Sequence, residues 1–436
     1  MTGRRPPWLT MLAADAEVPV FVARGLGASG AASHLRTAPR VHVVDSPRAA
    51  TVLVVVGHIP DTLLPALRQV HDQLTTPRAT IWWTGGGTDT FATSWPQALV
   101  VDATGDVDAE IVAAHRGLVS GSRSTEPPLL PDIDPVEWRG VGPYGHGGSG
   151  MTGGVPFGRP LAGRGDDLRD GLTLDVVPVW VGPFFPPFPA GLSLKVTFAG
   201  DVVHAVEVGA LPGAGSHGLG GQLHDEVDAA YTALAREPVT VARLELARAR
   251  HHLRWLTGLL HLYGLDALGR RVAGMERSLT PDRAPELVAL ARRLDQPWVL
   301  KRATAGVGGI GTEAAAQWGG PVARAAGIAV DARTELAAYR ALNFTPVVHP
   351  AGDARDRWRQ RLAEAVQSLE IAGRAGDATI EPGAQTEPPS PPPPGELDTL
   401  LPNLLTGAEW GDAVASVVSL DLEFDAHLTR RPEPVA

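Results

Sequence analysis

The chain has 436 residues, room for two or three domains, and its formal net charge of −10 excludes a strongly basic nucleic-acid-binding surface. It contains no cysteine, which excludes disulfides, thiolate nucleophiles and cysteine-ligated clusters. The sequence has no apolar run near the roughly 20 residues that cross a bilayer, and the N-terminus has no apolar core typical of a signal peptide. These features predict a cytoplasmic protein without a direct membrane span that binds no nucleic acid.

Residues 41–101 predict a unit of strand, helix and strand. Val41–Val44 and Thr51–Val56 are short β-branched runs, and Ala79–Trp83 is a third. A helix is expected from about Thr62, with Asp61 as its N-cap. Strand, helix and strand in this order predict an open parallel sheet, so residues 1–120 are expected to form an α/β domain.

This first segment resembles the small cluster-binding subunit of respiratory complex I. The resemblance is carried by Ser46-Pro-Arg48, by VLVVVG at 52–57 and by Pro77 before the next strand. In that family, cysteines near the first helix and after the last strand hold an iron–sulfur cluster. The equivalent positions here are Ala13–Glu17 and Gly86, a degenerate cluster-ligand position, and none of them is cysteine. The resemblance therefore implies the fold without the cluster.

Residues 121–170 are rich in glycine and proline and predict a flexible linker, in which His146 and Met151 are expected to be solvated. Strands are then predicted over Leu172–Gly209. The turn at 182–191 resembles the complex I segment whose two histidines line the quinone-headgroup site. Phe185 and Pro189 stand at those positions and can neither donate a proton nor hydrogen-bond a carbonyl. They are degenerate quinone-site positions.

Residues 241–264 predict a helix with a buried apolar stripe beside His252. A second long helix is predicted to open at Asp353. Between and around them lies a pattern that resembles the large quinone-site subunit of complex I, a fold shared with the large subunit of nickel–iron hydrogenases. The matching residues are Gly320, Pro321, Arg324, Gly327, Asp331, Arg333, Tyr339, Gly352, Asp353, Asp356, Arg357, Gln367 and Ser368.

His252, Asp331 and Arg333 are the weak candidates for catalytic residues. As a base, His252 would need a partner and an open cleft, and a satisfied, partly buried histidine is favoured. Asp331 and Arg333 could assist proton transfer near a quinone, but a buried pair that fixes the helices is favoured. The charges of Arg355, Asp356 and Arg357 are expected to be solvated or to form interdomain ion pairs.

The prediction is a cysteine-less fusion of an α/β domain with an open parallel sheet and an α+β domain, which has an N-terminal β part and a central helical bundle. The leading hypothesis is a catalytically inactive structural or regulatory subunit of a complex-I-like or membrane-hydrogenase-like assembly, peripheral on the cytoplasmic face, with other subunits of that membrane-associated redox complex as partners. It is expected to bind no cofactor or metal. The alternatives are an active oxidoreductase subunit that binds quinone or NADH in a remodelled site, and a free-standing module that binds another ligand.

The expected domain boundaries divide the chain into 1–120, 121–170 (linker), 171–375, 376–398 (Pro-rich linker) and 399–436, which completes the second domain.

We also expect the two halves to pack on each other through a surface that is apolar at its centre, because a permanent complex buries such surfaces. Bulky apolar residues are expected to fill the space that a cluster and a quinone would occupy. The expected contributors are the segment around Trp8 and Leu12, the strand end at Trp82–Gly87, Phe184–Phe188 and the loops beside Asp331.

Overall fold

The structure is a computed structural model that describes residues 7–84, 95, 97–132, 163–166, 168–209, 226–384, 386 and 397–424. Gly86, His146 and Met151 lie outside these residues, so the expectations placed on them stay expectations.

The N-terminal part is a parallel sheet of five strands in the order β2-β1-β3-β4-β5. The predicted open parallel sheet is therefore confirmed. Helices cover both faces, which explains why the central strand, Val52–Val56, is buried along its whole length. The strands are β1 Val18–Arg24, β2 Val41–Val43, β3 Val52–Val56, β4 Ala79–Trp83 and β5 Leu99–Val101; the helices are α1 Pro7–Asp15, α2 Ser29–Thr37, α3 Leu64–Gln73 and α4 Val107–Ser120.

One boundary in this part was predicted wrongly. Asp61 does not cap α3. It begins a short 3₁₀ turn, Asp61–Leu63, and the helix proper starts at Leu64 with Leu63 in the N-cap position and no side-chain cap. Pro65 in the first turn gives a physical reason, since proline favours the start of a helix and has no backbone N–H to be capped.

An antiparallel sheet of four strands follows, in the order β6-β7-β8-β9. The strands predicted over 172–209 are confirmed, and one further strand, β6, lies within the segment 121–170. The inner face of β8 and β9 packs on helices from the end of the chain in one apolar core. The strands are β6 Gly163–Asp166, β7 Thr173–Val181, β8 Leu194–Ala199 and β9 Val202–Val208.

The rest of the described chain is mainly helical, as predicted. The two longest helices, over 241–262 and 354–374, pack on each other and enclose an apolar core with the helices over 266–277 and 284–294. The helices are α5 Glu226–Leu234, α6 Val241–Leu262, α7 Asp266–Arg277, α8 Ala284–Leu294, α9 Trp298–Thr304, α10 Thr312–Trp318, α11 Gly320–Arg324, α12 Ala337–Ala341, α13 Ala354–Arg374, α14 Leu397–Leu405 and α15 Trp410–Leu420, with the short strands β10 Val239–Thr240 and β11 Thr379–Ile380. None of the helices in the described residues is both long enough and apolar enough to cross a bilayer.

The two halves meet along an apolar seam. Phe184, from the turn after β7, is buried in a core cluster otherwise made of N-terminal residues, including Trp82. In the opposite direction, Leu26 is buried in the core cluster of the antiparallel sheet. Arg24 at the end of β1 donates hydrogen bonds to the backbone carbonyls of Pro186, at 2.9 Å, and Phe188. Both halves therefore supply side chains to each other's cores.

One of the expected contributors to the seam is wrong. Trp8 and Leu12 are 59% and 63% exposed, because α1 packs against α4 of its own domain with its apolar side chains facing outward. Asp331 itself is paired with arginines inside the helical part, but Ile328 in the loop beside it packs against the core cluster that contains Leu26. Sequence patterns show that a side chain is apolar, but they do not show which surface covers it.

Candidate functional site

Asp331 and Arg333 form a buried pair. Two nitrogens of the Arg333 guanidinium donate to the Asp331 carboxylate, Nε to Oδ1 at 3.0 Å and Nη2 to Oδ2 at 2.7 Å. The third, Nη1, reaches both oxygens of Glu245 on α6 at 3.1 Å. The Tyr339 hydroxyl also donates to Glu245, at 2.6 Å. The pair is therefore buried and connects the segment after α11 to α6.

Arg324 extends the same network to α13. Its Nε and Nη2 donate to the two oxygens of Glu364 at 2.8 and 3.0 Å, a bidentate arrangement. Its Nη1 lies 3.0 Å from Oδ2 of Asp331. Arg324 therefore joins α11, α13 and the segment after α11 through one fully buried guanidinium.

The network keeps its acidic groups ionised. Burial acts to raise the pKa of Glu245 and of Glu364, but the neighbouring arginines outweigh it. Arg333 and Arg248 hold the pKa of Glu245 below its ordinary value, and Arg324 holds that of Glu364 well below. Groups with such compensated charges act as structural ion pairs rather than as acids poised to release a proton near neutral pH.

His252 is fully buried, more than the sequence predicted. Its Nε2 lies 3.3 Å from Oε2 of Glu364, and its Nδ1 lies 3.4 Å from Nη1 of Arg361. Burial lowers the pKa of His252 to about 3, even though Glu364 acts in the opposite direction. The imidazole is therefore neutral at neutral pH, and a base this weak is poorly matched to proton abstraction there.

Asp356 and Arg357 are not solvated, which corrects the sequence-based expectation. Both are buried, and only Arg355 of the three is partly exposed. Arg357 donates to the carbonyls of Gly308 and Gly352 at 2.7 and 2.8 Å, and burial lowers its pKa to about 9. Arg357 is buried because the glycine-rich turn before α10 packs closely over it. A Cβ on Gly308 would lie 2.4 Å from Oγ of Ser416, so the turn packs too closely for any other side chain.

A cleft with a volume of about 870 Å³ separates the two halves beside the seam. One wall comes from β1, α2 and β2 of the N-terminal domain, and the other from α6, α7 and the end of α15. The expectation that bulky apolar side chains fill the space of a cluster and a quinone stays a prediction. Phe184 and Phe188 fill the seam, but the neighbouring space is open and lined by both charged and apolar groups.

The two degenerate quinone-site positions lie in different surroundings. Pro189 lines the cleft together with Pro186 and Pro187. Phe185 packs instead in an aromatic cluster, with its ring centroid 4.9 Å from that of Phe188 and 6.1 Å from that of Trp410. Only one of the two therefore faces a space in which a ligand could bind.

The degenerate cluster-ligand segment Ala13–Glu17 forms the end of α1 and the approach to β1. The carbonyl of Ala14 accepts a hydrogen bond from Arg40 at 3.0 Å, and Asp15 lies 3.1 Å from Nη2 of Arg116. These groups hold α1 onto its own domain.

Sequence reasoning missed several members of the network, above all Glu364, Arg361 and Gln360. A signal was present, because Arg357, Gln360, Arg361, Glu364 and Ser368 recur at helical spacing on α13 and all are buried. This buried polar stripe lies on α13 beside the apolar stripe of Trp358, Leu362 and Leu369.

Comparison with known proteins identifies one part of the chain. Residues 277–422 match the family described as respiratory-chain NADH dehydrogenase, 49 Kd subunit. This stretch is similar to that family. The match contains Arg324, Asp331, Arg333 and Glu364, so the resemblance of the helical part to the large quinone-site subunit is confirmed. The N-terminal domain lies outside the matched residues, and its resemblance to the small subunit stays a prediction.

One similar solved structure is titled "Structure of the membrane-bound sulfane sulfur reductase (MBS), an archaeal respiratory membrane complex". The chain in it shares 16% sequence identity with a TM-score of 0.43, and the alignment covers 59% of the present chain and 99% of that chain. No curated protein matches the present chain.

Proposed function

We propose that this chain is a non-redox structural or regulatory subunit of a complex-I-like or membrane-hydrogenase-like assembly. The relation of residues 277–422 to the 49 Kd subunit family supports a place in such an assembly. The cysteine count supports the loss of redox chemistry, because an iron–sulfur cluster or a nickel–iron site needs thiolate ligands and this chain has none.

The seam is the observation on which the structural role depends. Phe184 is buried in the N-terminal core, Leu26 is buried in the core of the second domain, and Arg24 hydrogen-bonds across the junction. Contacts of this kind make the two domains one body with a joint surface. A subunit that has lost its redox centre can still hold neighbouring subunits through that surface, on the cytoplasmic face of the membrane.

The candidate residues fit the same proposal. His252 is neutral and buried. Asp331 and Arg333 are bonded to each other in a buried ion pair, so the role of all three residues is to fix the helices. Phe185 and Pro189 offer a quinone carbonyl neither a proton nor a hydrogen bond.

The cleft favours a second candidate function, which is binding of another ligand or of quinone or NADH in a remodelled site. Its volume falls within the roughly 300–1,000 Å³ of small-molecule sites.

The test is purification of the tagged full chain from membranes of its native host. We expect stoichiometric membrane-embedded subunits of a complex-I-like assembly to co-purify. The isolated chain should contain no acid-labile sulfide and should reduce no quinone analogue with NADH. Sulfide or turnover would favour the oxidoreductase alternative, and a monomer without membrane partners would favour the free-standing module.

A double variant tests more sharply the proposal that the chain has no redox activity. Restoring both histidines, Phe185→His with Pro189→His, should still give no quinone reduction, because no cluster supplies electrons. Turnover gained by this variant alone would mean that an electron donor reaches the cleft, which would contradict the proposal.

A further inference from the structure

Three potential metal ligands converge at the wall of the cleft formed by the second domain. They are His251 on α6 and Asp421 and Glu423 just after α15. One ligand atom from each lies within 4.8 Å of the other two, and Nε2 of His251 is 3.0 Å from Oδ2 of Asp421. All three residues line the cleft, so an ion could reach them from solvent.

The fold brings these residues together from distant parts of the sequence. Asp421 follows the last residue of α15 with a φ of 54°, in the left-handed region, and its Oδ2 lies against His251 of α6. Asp421 and Glu423 are separated by Leu422, which is 4% exposed and buried in the core of the second domain. Both carboxylates can therefore face the cleft while the residue between them anchors the segment.

A neighbouring arginine orients Asp421. Nη1 of Arg361 lies 2.8 Å from Oδ2 of Asp421, and its guanidinium is 4.8 Å from the centroid of the Trp255 ring. Carboxylates that bind metals are commonly held by a hydrogen bond from a neighbouring group of this kind.

We propose that His251, Asp421 and Glu423 bind a divalent metal ion, and that the ion is Zn²⁺. One imidazole nitrogen and two carboxylate oxygens are ligands that Zn²⁺ accepts, whereas Mg²⁺ and Ca²⁺ prefer oxygen alone. Ligand atoms about 2 Å from a tetrahedral ion lie about 3.3 Å apart, so side-chain rotation can close the observed separations. Three protein ligands leave one position open to the cleft, where water or an oxygen of a bound molecule completes the coordination.

The experiment is a Zn²⁺ titration of the full chain after treatment with a chelator, in competition with a chromophoric indicator near neutral pH. The wild type should bind one ion that His251→Ala and Glu423→Gln weaken about 100-fold or more, since even changes beside metal ligands cost 10–100-fold. His261→Ala is the matched control. His261 lines the same cleft but pairs with Asp266 at 2.7 Å, and its loss should leave this binding unchanged.

Co²⁺ provides a second readout, because its visible absorption reports the ligand geometry. Glu423→Gln changes a half-buried side chain without changing its shape, so it keeps the test valid if His251→Ala does not fold. Absence of Zn²⁺ binding in the wild type would overturn the proposal. So would binding that both variants retain, because the ion would then be held by other histidines of the chain.

Discussion

The N-terminal domain and the helical part fix their folds by different means. At the centre of the N-terminal domain, β3 presents five consecutive buried aliphatic residues. At the centre of the helical part, α13 buries Arg357, Arg361 and Glu364. Aliphatic packing tolerates exchange of one side chain for another of similar size, whereas a buried ion pair needs its exact partner. The helical part should therefore be the more sensitive of the two to single substitutions.

The largest effect is expected from Arg324→Ala. This change removes the bidentate partner of Glu364 and leaves a buried carboxylate uncompensated, so it should lower the free energy of unfolding by about 3–5 kcal/mol. Arg359→Ala is the control, because Arg359 is 37% exposed and its pair with Asp356 should contribute about 0–1 kcal/mol. Urea denaturation measures both, and equal effects would contradict the difference between buried and exposed pairs.

Three of the five strands in the N-terminal sheet, β2, β3 and β4, could be predicted from sequence because their signals are local, whereas β1 and β5 were not predicted. The three are short apolar runs that end at turns, and the strand–helix–strand order leaves few topologies. The pair of Asp331 and Arg333 was predictable for a similar reason, since the two residues are neighbours in the sequence.

The pairing of charges in the rest of the site could not be predicted, because the partners are far apart in the sequence. Arg333 meets Glu245 across 88 positions, and His251 meets Asp421 across 170. No pattern in a single sequence specifies which buried charge pairs with which. The same limit explains the errors at Trp8 and Arg357, whose burial is decided by tertiary contacts.

The second-largest effect concerns the seam. Phe184→Ala should create a cavity in the N-terminal core and destabilise that domain by about 3 kcal/mol. It should also separate thermal unfolding into two transitions, because the ring links the two cores. Phe185→Ala is the neighbouring control, since its ring contacts Phe188 and Trp410 of its own domain. Calorimetry should show a single transition for the control; two transitions in both variants would argue against a specific role for Phe184.

A smaller effect is expected on the pH dependence of stability. The folded pKa of His252 is about 3 and its ordinary value is 6.5, so below pH 6.5 the unfolded chain binds a proton that the folded chain does not. Stability is therefore lost as the pH falls from 6.5 towards 3, by about 1.4 kcal/mol per pH unit, or about 2 kcal/mol at pH 5. His252→Gln should remove this contribution. Identical dependence of unfolding free energy on pH in both proteins would show that His252 is not neutral in the folded state.

The smallest effects on the free energy of unfolding are expected at two aspartate N-caps, one in each region. Asp106 is exposed and accepts one hydrogen bond, from Ala109 N at 3.0 Å at the start of α4. Asp353 is buried and accepts two, from Asp356 N at 2.8 Å and from Gly306 N at 2.7 Å. Asp106→Ala should cost about 1 kcal/mol, whereas Asp353→Ala should cost roughly 2 kcal/mol because a buried N–H also loses its acceptor.

Substitution by asparagine separates the contribution of the helix cap from that of the second hydrogen bond, which only Asp353 accepts. Asn caps a helix about as well as Asp, so Asp106→Asn should be nearly neutral. Asp353→Asn should still destabilise by about 1 kcal/mol, because an amide offers one acceptor oxygen and its nitrogen cannot accept from Gly306 N. Urea denaturation of the four variants gives the comparison. If Asp353→Asn is as neutral as Asp106→Asn, the bond to Gly306 contributes nothing, and the glycine-rich turn is held by its other contacts, among them the bond from Arg357 to Gly308 and the backbone bond from Ile310 N to Gly352 O.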